Sequence, residues 1–364
     1  MKAALEKLLF MSTPISVLGS GEGGGIELKI RNVAQELARR GYEIEIVAPQ
    51  GSVLPGVSVR EIAGNLQIAV QNQERHDSVS MPENSVLANM WDYARSVQQD
   101  WDLIANFAFD WLPFYITPFF DTAIAHFISM GSMTDALDHV MNQVAQQYPL
   151  CIGANTKSQV VTFPFTDKCN LLGSGVDLSL YEFCAVPEKS MIWLGRISPE
   201  KALEDAVEAA NLAQIPLKIF GKIQDEVYWQ KIQDDFPDAP IEYGGFLATK
   251  DLQKELGKAQ ALIMTPRWIE AFGNVAIEAL ACGVPVIAYN RGGPSEIIKD
   301  GKTGFLVEPD NVSGLVAAMA KIEQIERKNC RLQVEREYSA QILGDKFESW
   351  FQQVWLKSSQ KVAI

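Results

Sequence analysis

The stretch ALIMTPRWIEAFGNVAIEALACGVPVIAYN, residues 261–290, determines the fold class. Its first six residues, ending at Pro266, are typical of a buried strand, and its last six, PVIAYN, are typical of a second one. Between them a helix is predicted to begin near Asn274, whose side chain is a good capping type. Strand, helix and strand in this order form a βαβ unit, so a parallel sheet is expected.

The same alternation recurs on both sides of this stretch. Further strands are predicted at MIWLG, LKIFG, IEYGG and GFLVEP in the second half, and at LLFMS, EIEIVAP, DLIANFAF and TAIAHFIS in the first. We therefore predict an α/β protein with two doubly wound Rossmann-like domains facing across a cleft that the strands' carboxyl ends line. The loop-like GSGVD at 173–177 places the boundary, giving domains 1–175 and 176–339, and a last helix from about residue 340 is expected to pack back on the first domain.

Composition excludes several classes of protein. The chain has 364 residues, 47% of them hydrophobic, and a net charge of −13 shared by both halves, which disfavours nucleic acid or an anionic membrane as the main partner. No stretch is long and apolar enough for a membrane helix, so we expect a soluble, cytoplasmic protein. Its five cysteines form no CxxC pair, which argues against a disulfide or zinc framework. Oligomeric state is left open.

Two glutamates lie eight positions apart in residues 261–290, Glu270 in the loop and Glu278 about one turn inside the helix. Desolvating an unpaired carboxylate costs several kcal/mol, so a ligand is a candidate partner. The backbone N–H groups between them point out of the helix start, where the dipole adds partial positive charge. We expect a nucleoside diphosphate sugar here, with its phosphates on the amides and a hydroxyl-bearing ring near each acid. The alternative is a solvated helix face beside a loop acid.

Two cations are expected to face the same ligand. Arg196 follows the strand MIWLG directly, and Lys201 is predicted in the first turn of the next helix, after a Ser198 cap and Pro199. Positive charge opposes the dipole at a helix start, so its presence there is easier to explain if a diphosphate lies in front of it. Two exposed surface cations are the alternative interpretation.

The first domain offers weaker signals. Gly19, Gly21 and Gly24 satisfy GxGxxG, but the second strand ends Ala48-Pro49-Gln50 without the acid that a dinucleotide site needs. Gly24 and Gly25 are instead expected to let a ligand approach a helix start closely. Asp100-Trp101-Asp102 matches a DxD metal clamp but precedes a strand, so we predict no metal site. His126 ends an apolar strand and is either a sugar ligand or a satisfied core histidine.

Together these motifs resemble the retaining glycosyltransferases of the GT-B fold, family four. The resemblance covers almost the whole chain, and its strongest parts are EAFGNVAIE, EALACGVPVIA, GGPSEII, GRISPEK and GGGIE. It implies that Glu278 holds the nucleotide ribose, that Glu270 and His126 contact the donor sugar, and that Arg196 and Lys201 hold the diphosphate. The other residues that it places at the donor are Ala271, Phe272, Gly273, Asn274, Val275 and Phe246, besides Gly24 and Gly25. It also implies that neither a metal nor another cofactor is needed.

Within that family, STPISVLGSGEGGGIEL, NFAFDWLPFYITPFF and HFISMGS are similar to a pteridine-modifying branch. This similarity implies transfer of glucose from UDP-glucose to a hydroxyl of a reduced pterin such as tetrahydrobiopterin. Phe109, Trp111 and Met130 would then contact the acceptor, although an ordinary aromatic core explains the same residues. Another small-molecule, sugar or lipid-linked acceptor is the alternative, and from other classes an epimerase or a sugar-nucleotide-binding protein stays open.

Overall fold

The computed structural model describes residues 4–21 and 24–361. Glu22 and Gly23 of the predicted glycine-rich turn lie outside the described residues. The chain divides into two compact units, Met1–Ser174 with Ala340–Ile364, and Gly175–Ser339. The division falls one residue from the boundary that the sequence predicted.

The first unit is built on a parallel sheet. Its strands are β1 (Lys7–Met11), β2 (Glu43–Pro49), β3 (Ser58–Ile62), β4 (Leu103–Asn106), β5 (Ala123–Phe127), β6 (Ile152–Ala154) and β7 (Cys169–Leu171). Their order is β3-β2-β1-β4-β5-β6-β7, and every neighbouring pair is parallel. From β1 the chain adds β2 and β3 on one side of the sheet and then β4 to β7 on the other. Doubly wound sheets bind ligands at the point where the strand order reverses in this way, here beside β1.

The second unit repeats this plan. Its strands are β8 (Met191–Leu194), β9 (Leu217–Phe220), β10 (Ile241–Tyr243), β11 (Ala261–Met264), β12 (Val286–Tyr289) and β13 (Gly304–Val307). Their order is β10-β9-β8-β11-β12-β13, again entirely parallel. The reversal falls between β8 and β11, so the loops that leave these two strands emerge side by side.

Helices connect the strands, as a parallel sheet requires. In chain order they are α1 (Gly24–Arg39), α2 (Val86–Val97), α3 (Trp111–Ile116), α4 (Asp135–Gln147), α5 (Lys157–Val160), α6 (Leu203–Ala213), α7 (Glu226–Asp235), α8 (Thr249–Lys258), α9 (Asn274–Ala281), α10 (Pro294–Ile297), α11 (Val312–Met319), α12 (Arg327–Glu337) and α13 (Ala340–Lys361). The prediction of two Rossmann-like α/β domains is confirmed.

The last helix, α13, packs on the first unit. Phe347 stacks on Phe107 with ring centroids 6.1 Å apart, and Phe351 meets Phe10 edge to face at 5.9 Å. Trp350 is 1% exposed and its indole N–H donates to the Leu150 carbonyl at 2.8 Å. These aromatic contacts explain why a chain that has completed its second sheet returns to the first.

Two local predictions were wrong. Lys201 does not lie in a helix that Ser198 caps: it ends a short 3₁₀ turn, Pro199–Lys201, without a side-chain cap bond, and α6 begins only at Leu203. Helix α9 begins at Asn274, as predicted, but Asn274 is its first residue and not its cap, since Gly273 takes the cap position with a φ of 93°. Left-handed backbone at that point favours glycine, which the sequence reasoning placed in the loop but did not use.

Candidate functional site

The candidate site lies entirely in the second unit, at the adjacent carboxyl ends of β8 and β11. The turn that carries Lys201 follows β8, and the loop 265–273 follows β11 and leads into α9. Thr265 joins the two, because its hydroxyl donates to the Ala202 carbonyl at 2.7 Å. The fold therefore brings together residues that lie about seventy positions apart in the sequence.

Glu270 is paired with Lys201 in this structure. The Lys201 ammonium donates to the Glu270 carboxylate, and the indole N–H of Trp268 donates to the same oxygen at 3.1 Å. The ammonium also lies 4.7 Å from the centre of the Trp268 ring. Burial, the largest single effect, raises the pKa of Glu270, but the charges of Lys201 and Arg196 and the hydrogen bonds from Lys201 and Trp268 together lower it by more, so the net shift is downward. Glu270 is thus an ionised acid in a fixed position.

Two glycines hold the loop that contains Glu270. A Cβ at Gly292 would lie 2.6 Å from the Glu270 backbone nitrogen, and one at Gly293 would lie 2.2 Å from the Phe272 carbonyl oxygen. The Gly293 N–H donates to the Glu270 carbonyl. No larger residue fits this close backbone approach without movement of the loop. The GGPSEII sequence, which the family resemblance already included, was the available signal for this support.

Glu278 is the unusual group of the site. It lies in the second turn of α9, its exposed fraction is 7%, and burial raises the pKa of its carboxyl to about 7. Within the described part of the chain, no group forms a hydrogen bond with this carboxylate. Ionisation of a buried acid without a hydrogen-bond donor lowers the stability of the folded protein. The ionised carboxylate is also a strong acceptor for hydroxyl groups that a ligand would supply.

The start of α9 supplies donors. The first N–H groups of any α-helix have no partner within the helix, and those of Asn274 and Val275 meet no acceptor in the chain as far as the structure describes it. The neighbouring Ala271 and Phe272 are nearly buried, at 8% and 5% exposure. The position predicted for a phosphate therefore has open backbone amides at Asn274 and Val275.

Arg196 and Phe246 lie near the rim of this unit. The Arg196 guanidinium donates to Gln224 at 2.7 Å and to Glu200 at 3.1 Å. It contributes to the lowered pKa of Glu270, so its charge reaches the site. The Phe246 ring is half exposed and lies 5.2 Å from the Lys222 ammonium. A ring exposed at this position is available to a planar ligand group.

His126 does not have the free nitrogen that a sugar ligand needs. Its ring is 0% exposed, Nδ1 is 3.1 Å from the Asn106 amide, and Nε2 is 2.9 Å from the Thr117 hydroxyl. The ring stacks on Phe114 with centroids 4.4 Å apart, and burial lowers its pKa to about 3. This geometry corrects the interpretation of His126 as a sugar ligand and favours the alternative, a satisfied core histidine.

The glycine-rich segment before α1 is tied down by a carboxylate. Glu27 accepts from the N–H of Gly19 at 2.9 Å and from that of Gly21 at 3.1 Å. Gly24 has a φ of 60°, and a Cβ built on it would meet no atom within 4 Å. Gly25 follows in the first turn of α1. The prediction that these last two glycines admit a ligand remains a prediction.

The three residues predicted to contact an acceptor belong to one core cluster. Phe109 is 7% exposed and belongs to the core around α4, with Met130 packed against it. Trp111 packs against the same core and also lines a pocket of the first unit. Sequence reasoning missed Asp110, the cap of α3, which lines the same pocket.

The structure locates no metal cluster in its described part: no group of three or more His, Cys, Asp or Glu is placed to hold an ion. Asp102 of the DxD-like sequence accepts instead from the backbone N–H groups of Glu6 and Lys7, both at 2.9 Å. Among the described helices, none is both long enough and apolar enough to cross a membrane.

Known proteins resemble this chain in sequence and in fold. Residues 185–337, which contain Arg196, Lys201, Glu270 and Glu278, match the family described as Glycosyl transferases group 1. Two solved structures share the fold across the chain. One is Anabaena HepE in complex with UDP, with a TM-score of 0.74, 16% identity, and coverage of 95% of this chain and 99% of that one. The other is sucrose-phosphate synthase from Thermosynechococcus elongatus, with a TM-score of 0.76, 17% identity, and coverage of 97% and 100%.

The curated relatives align with this chain over very different shares of their own length. The 2-deoxystreptamine N-acetyl-D-glucosaminyltransferase of Niallia circulans is 30% identical over 47% of this chain and 42% of its own length. This chain therefore aligns with less than half of that relative. The D-inositol 3-phosphate glycosyltransferase of Rhodococcus jostii is 24% identical over 85% of this chain and 79% of its own length.

Proposed function

We propose that this protein is a retaining glycosyltransferase that moves a hexose, glucose in the first instance, from a UDP-sugar to a small-molecule acceptor. The observation that carries the proposal is the state of Glu278, a buried carboxylate with a pKa raised to about 7 and no hydrogen-bond donor in the described chain. Ribose hydroxyls are donors of the right kind. Related solved structures support the donor class, since HepE was crystallised with UDP, with UDP and glucose, and with UDP-glucose.

The diphosphate would lie between the open amides of α9 and the cations. Asn274 and Val275 offer N–H groups, while Lys201 and Arg196 offer charge that is already oriented by Glu270 and Glu200. Groups that are positioned before the reaction stabilise a leaving diphosphate without a reorganisation cost at the moment of bond cleavage. The ring of Phe246 would contact the base.

In the proposed chemistry, the acceptor oxygen attacks the anomeric carbon from the face that the diphosphate leaves. The C–O bond to the diphosphate breaks as the new glycosidic bond forms, and a phosphate oxygen takes the acceptor proton. No protein base, metal or other cofactor is then required. Glu270 orients a hydroxyl of the sugar and does not attack it, because its carboxylate is already engaged by Lys201 and Trp268.

The acceptor is the finer part of the proposal. The three stretches that resemble pteridine-modifying enzymes favour a reduced pterin, as in UDP-glucose:tetrahydrobiopterin glucosyltransferase. The relatives found by comparison are named for other acceptors, an aminocyclitol and an inositol phosphate among them. They support a small-molecule acceptor in general better than they support the pterin.

Incubation with UDP-glucose and a set of acceptors, followed by mass spectrometry and NMR of the anomeric proton, tests the proposal. We expect a glycosylated product with the α configuration of the donor. Glu278→Ala should weaken UDP binding by about 1–3 kcal/mol, the usual contribution of hydrogen bonds to a charged group. Isomerised nucleotide sugar would indicate an epimerase, and bound but unconverted donor would indicate a binding protein.

A further inference from the structure

The indole of Trp268 contacts both members of the ion pair at the candidate site. Its Nε1–H donates to Oε2 of Glu270 at 3.1 Å, and the face of its ring lies 4.7 Å from the Lys201 ammonium. The edge of the ring therefore holds the acid, while the face of the ring attracts the cation. No sequence motif assigned a role to this tryptophan.

The two donors to Glu270 converge on one carboxylate oxygen. Lys201 and Trp268 both donate to Oε2, and Oε1 accepts no hydrogen bond from the described part of the chain. The Glu270 side chain is 16% exposed, and Oε1 remains accessible to solvent. The carboxylate is thus fixed through one oxygen and offers the other to the hydroxyl groups of a ligand.

The backbone that precedes Trp268 is also held in place. The Arg267 guanidinium donates to Asp205 at 2.7 Å, and the Arg291 guanidinium donates to the Pro266 carbonyl at 3.0 Å. A tryptophan side chain has only two rotatable bonds, so a fixed backbone and two contacts leave the indole little freedom. The loop therefore presents the indole N–H in one position before a ligand binds.

The Lys201 ammonium has two competing acceptors in the proposed reaction. It is the charged donor to Glu270 in this structure, and it is also one of the cations proposed for the diphosphate. Lysine carries a compact charge on a flexible stem, so its ammonium can turn toward a more highly charged partner. The indole has one donor and no net charge, so a diphosphate attracts it far less. Trp268 is then the side chain that keeps Glu270 in place after the nucleotide enters.

We infer that Trp268 is a positioning residue for the donor sugar. Its N–H holds Oε2 of Glu270 and keeps Oε1 toward a sugar hydroxyl, both before and after Lys201 turns to the diphosphate. The inference rests on the proposed transferase function, and it separates the two halves of the donor. Loss of the indole N–H weakens the contact with the sugar and leaves the contacts with uridine and the diphosphate as they are.

Calorimetric titration of the full-length protein with UDP and with UDP-glucose tests the inference. Trp268→Phe keeps an aromatic face beside Lys201 but removes the N–H donor. We expect this variant to bind UDP within about twofold of the wild type and UDP-glucose at least about fivefold more weakly, through loss of one hydrogen bond to a charged group. Equal changes for the two ligands would overturn the inference and leave the proposed function intact. Failure of the wild type to bind either ligand would overturn both.

Trp350→Phe is the matched control. Trp350 also donates its indole N–H to one oxygen, the Leu150 carbonyl at 2.8 Å, but it belongs to α13 in the first unit. Titration well below the melting temperature should give the wild-type affinities for both ligands. If this variant also lost affinity for UDP-glucose alone, the effect would not be specific to Trp268 and the inference would be wrong.

A double-variant cycle shows whether Trp268 acts through Glu270. Glu270→Gln should weaken UDP-glucose binding, and the addition of Trp268→Phe should weaken it by less than about a further twofold, because the group that Trp268 positions is already altered. Losses that multiply independently would indicate a general effect on the loop and would overturn the inference.

The indole N–H resonance of Trp268 tests the contact without any nucleotide. In isotope-labelled protein, this resonance is identified by its absence from the spectrum of Trp268→Phe. It should lie further downfield in the wild type than in Glu270→Gln, because a carboxylate is a stronger acceptor than an amide. An identical resonance in the two proteins would show that the indole does not hold Glu270 and would overturn the inference.

Discussion

The carboxyl end of β5 and the beginning of α9 contain the two most deeply buried ionisable groups to which the sequence drew attention, and they are buried differently. Both nitrogens of His126 have a partner within the chain, whereas the Glu278 carboxylate has none among the described residues. Burial of a polar group with all its partners stabilises a core, while burial without partners destabilises the free protein until a ligand supplies them. Both residues are buried, so the presence of hydrogen-bond partners within the chain, and not burial, distinguishes the structural residue His126 from the candidate binding residue Glu278.

Removal of the His126 ring should give the largest change in stability. His126→Ala leaves a cavity against Phe114 and the amide of Asn106 without its partner, so the free energy of unfolding should fall by about 3 kcal/mol. Urea unfolding measures this, and UDP titration well below the melting temperature should show unchanged affinity. A loss of UDP affinity with unchanged stability would contradict the structural role and would indicate that His126 contacts the ligand.

The free energy of unfolding at acid pH should also depend on the buried, neutral ring of His126. Burial lowers the pKa of His126 to about 3 from its ordinary value near 6.5. Stability from the neutral ring is therefore present above about pH 6.5 and is lost as the pH falls toward 3. His126→Ala should flatten this part of the curve of unfolding free energy against pH, and an unaltered slope would contradict the assigned pKa.

Replacement of the unsatisfied acid should have the opposite effect on stability. The pKa of Glu278 is raised in the folded state, so its contribution is favourable below about pH 4.5 and is lost as the pH rises through about 7. At about pH 8, Glu278→Gln should increase the free energy of unfolding by up to about 3 kcal/mol, with little change at about pH 4. The same variant should bind UDP more weakly. A variant less stable than the wild type at both pH values would mean that the carboxylate is satisfied within the chain.

Loss of the Lys201 charge should act on both the nucleotide and Glu270. Lys201→Met removes a charged donor to the diphosphate and should weaken UDP binding by about 2 kcal/mol. It also leaves Glu270 with Trp268 as its remaining side-chain donor, so the double variant with Glu270→Gln should recover stability but not UDP affinity. Lys258→Met is the control, since Lys258 pairs with Glu255 on α8. Equal UDP affinities for Lys201→Met and this control would place the diphosphate elsewhere.

The smallest effect is expected at the rim. Phe246→Leu should weaken UDP binding by about 0.5–1 kcal/mol through loss of ring stacking, without a change in stability, because the ring is half exposed. Phe183→Leu matches it as an exposed phenylalanine of the same unit. Calorimetry of both variants compares them directly, and identical affinities would remove Phe246 from the site.

Much of the fold was predictable because its strands are short apolar runs separated by helices of clear period. Strand β3 was missed, since SVREI is a half-exposed edge strand without a continuous apolar run. The start of α6 was misplaced, and the caps of α6 and α9 were wrong, because left-handed backbone at Ala202 and Gly273, not a capping side chain, precedes these helices. Local patterns indicate that an element exists more reliably than where it begins.

The sequence identified the residues of the candidate site, but it did not predict which of them contact each other. Spacing identified Glu270 and Glu278, yet it gave no reason to distinguish them. The distinction arises from tertiary structure, in which Lys201 and Trp268 reach Glu270 while the described chain leaves Glu278 without a donor. For His126, sequence left both interpretations open, and the decision came from Asn106 and Thr117 on neighbouring segments.

Proton release on UDP binding tests the central claim most directly. If ribose hydroxyls complete the hydrogen bonds of an ionised Glu278, its pKa falls on binding, and near pH 7 the wild type should release about half a proton more than Glu278→Gln. Calorimetric titration in two buffers of different ionisation enthalpy measures this difference and cancels the protonation of UDP itself. Equal proton release by the two proteins, with equal affinity for UDP, would contradict the claim that Glu278 is the group that the nucleotide completes.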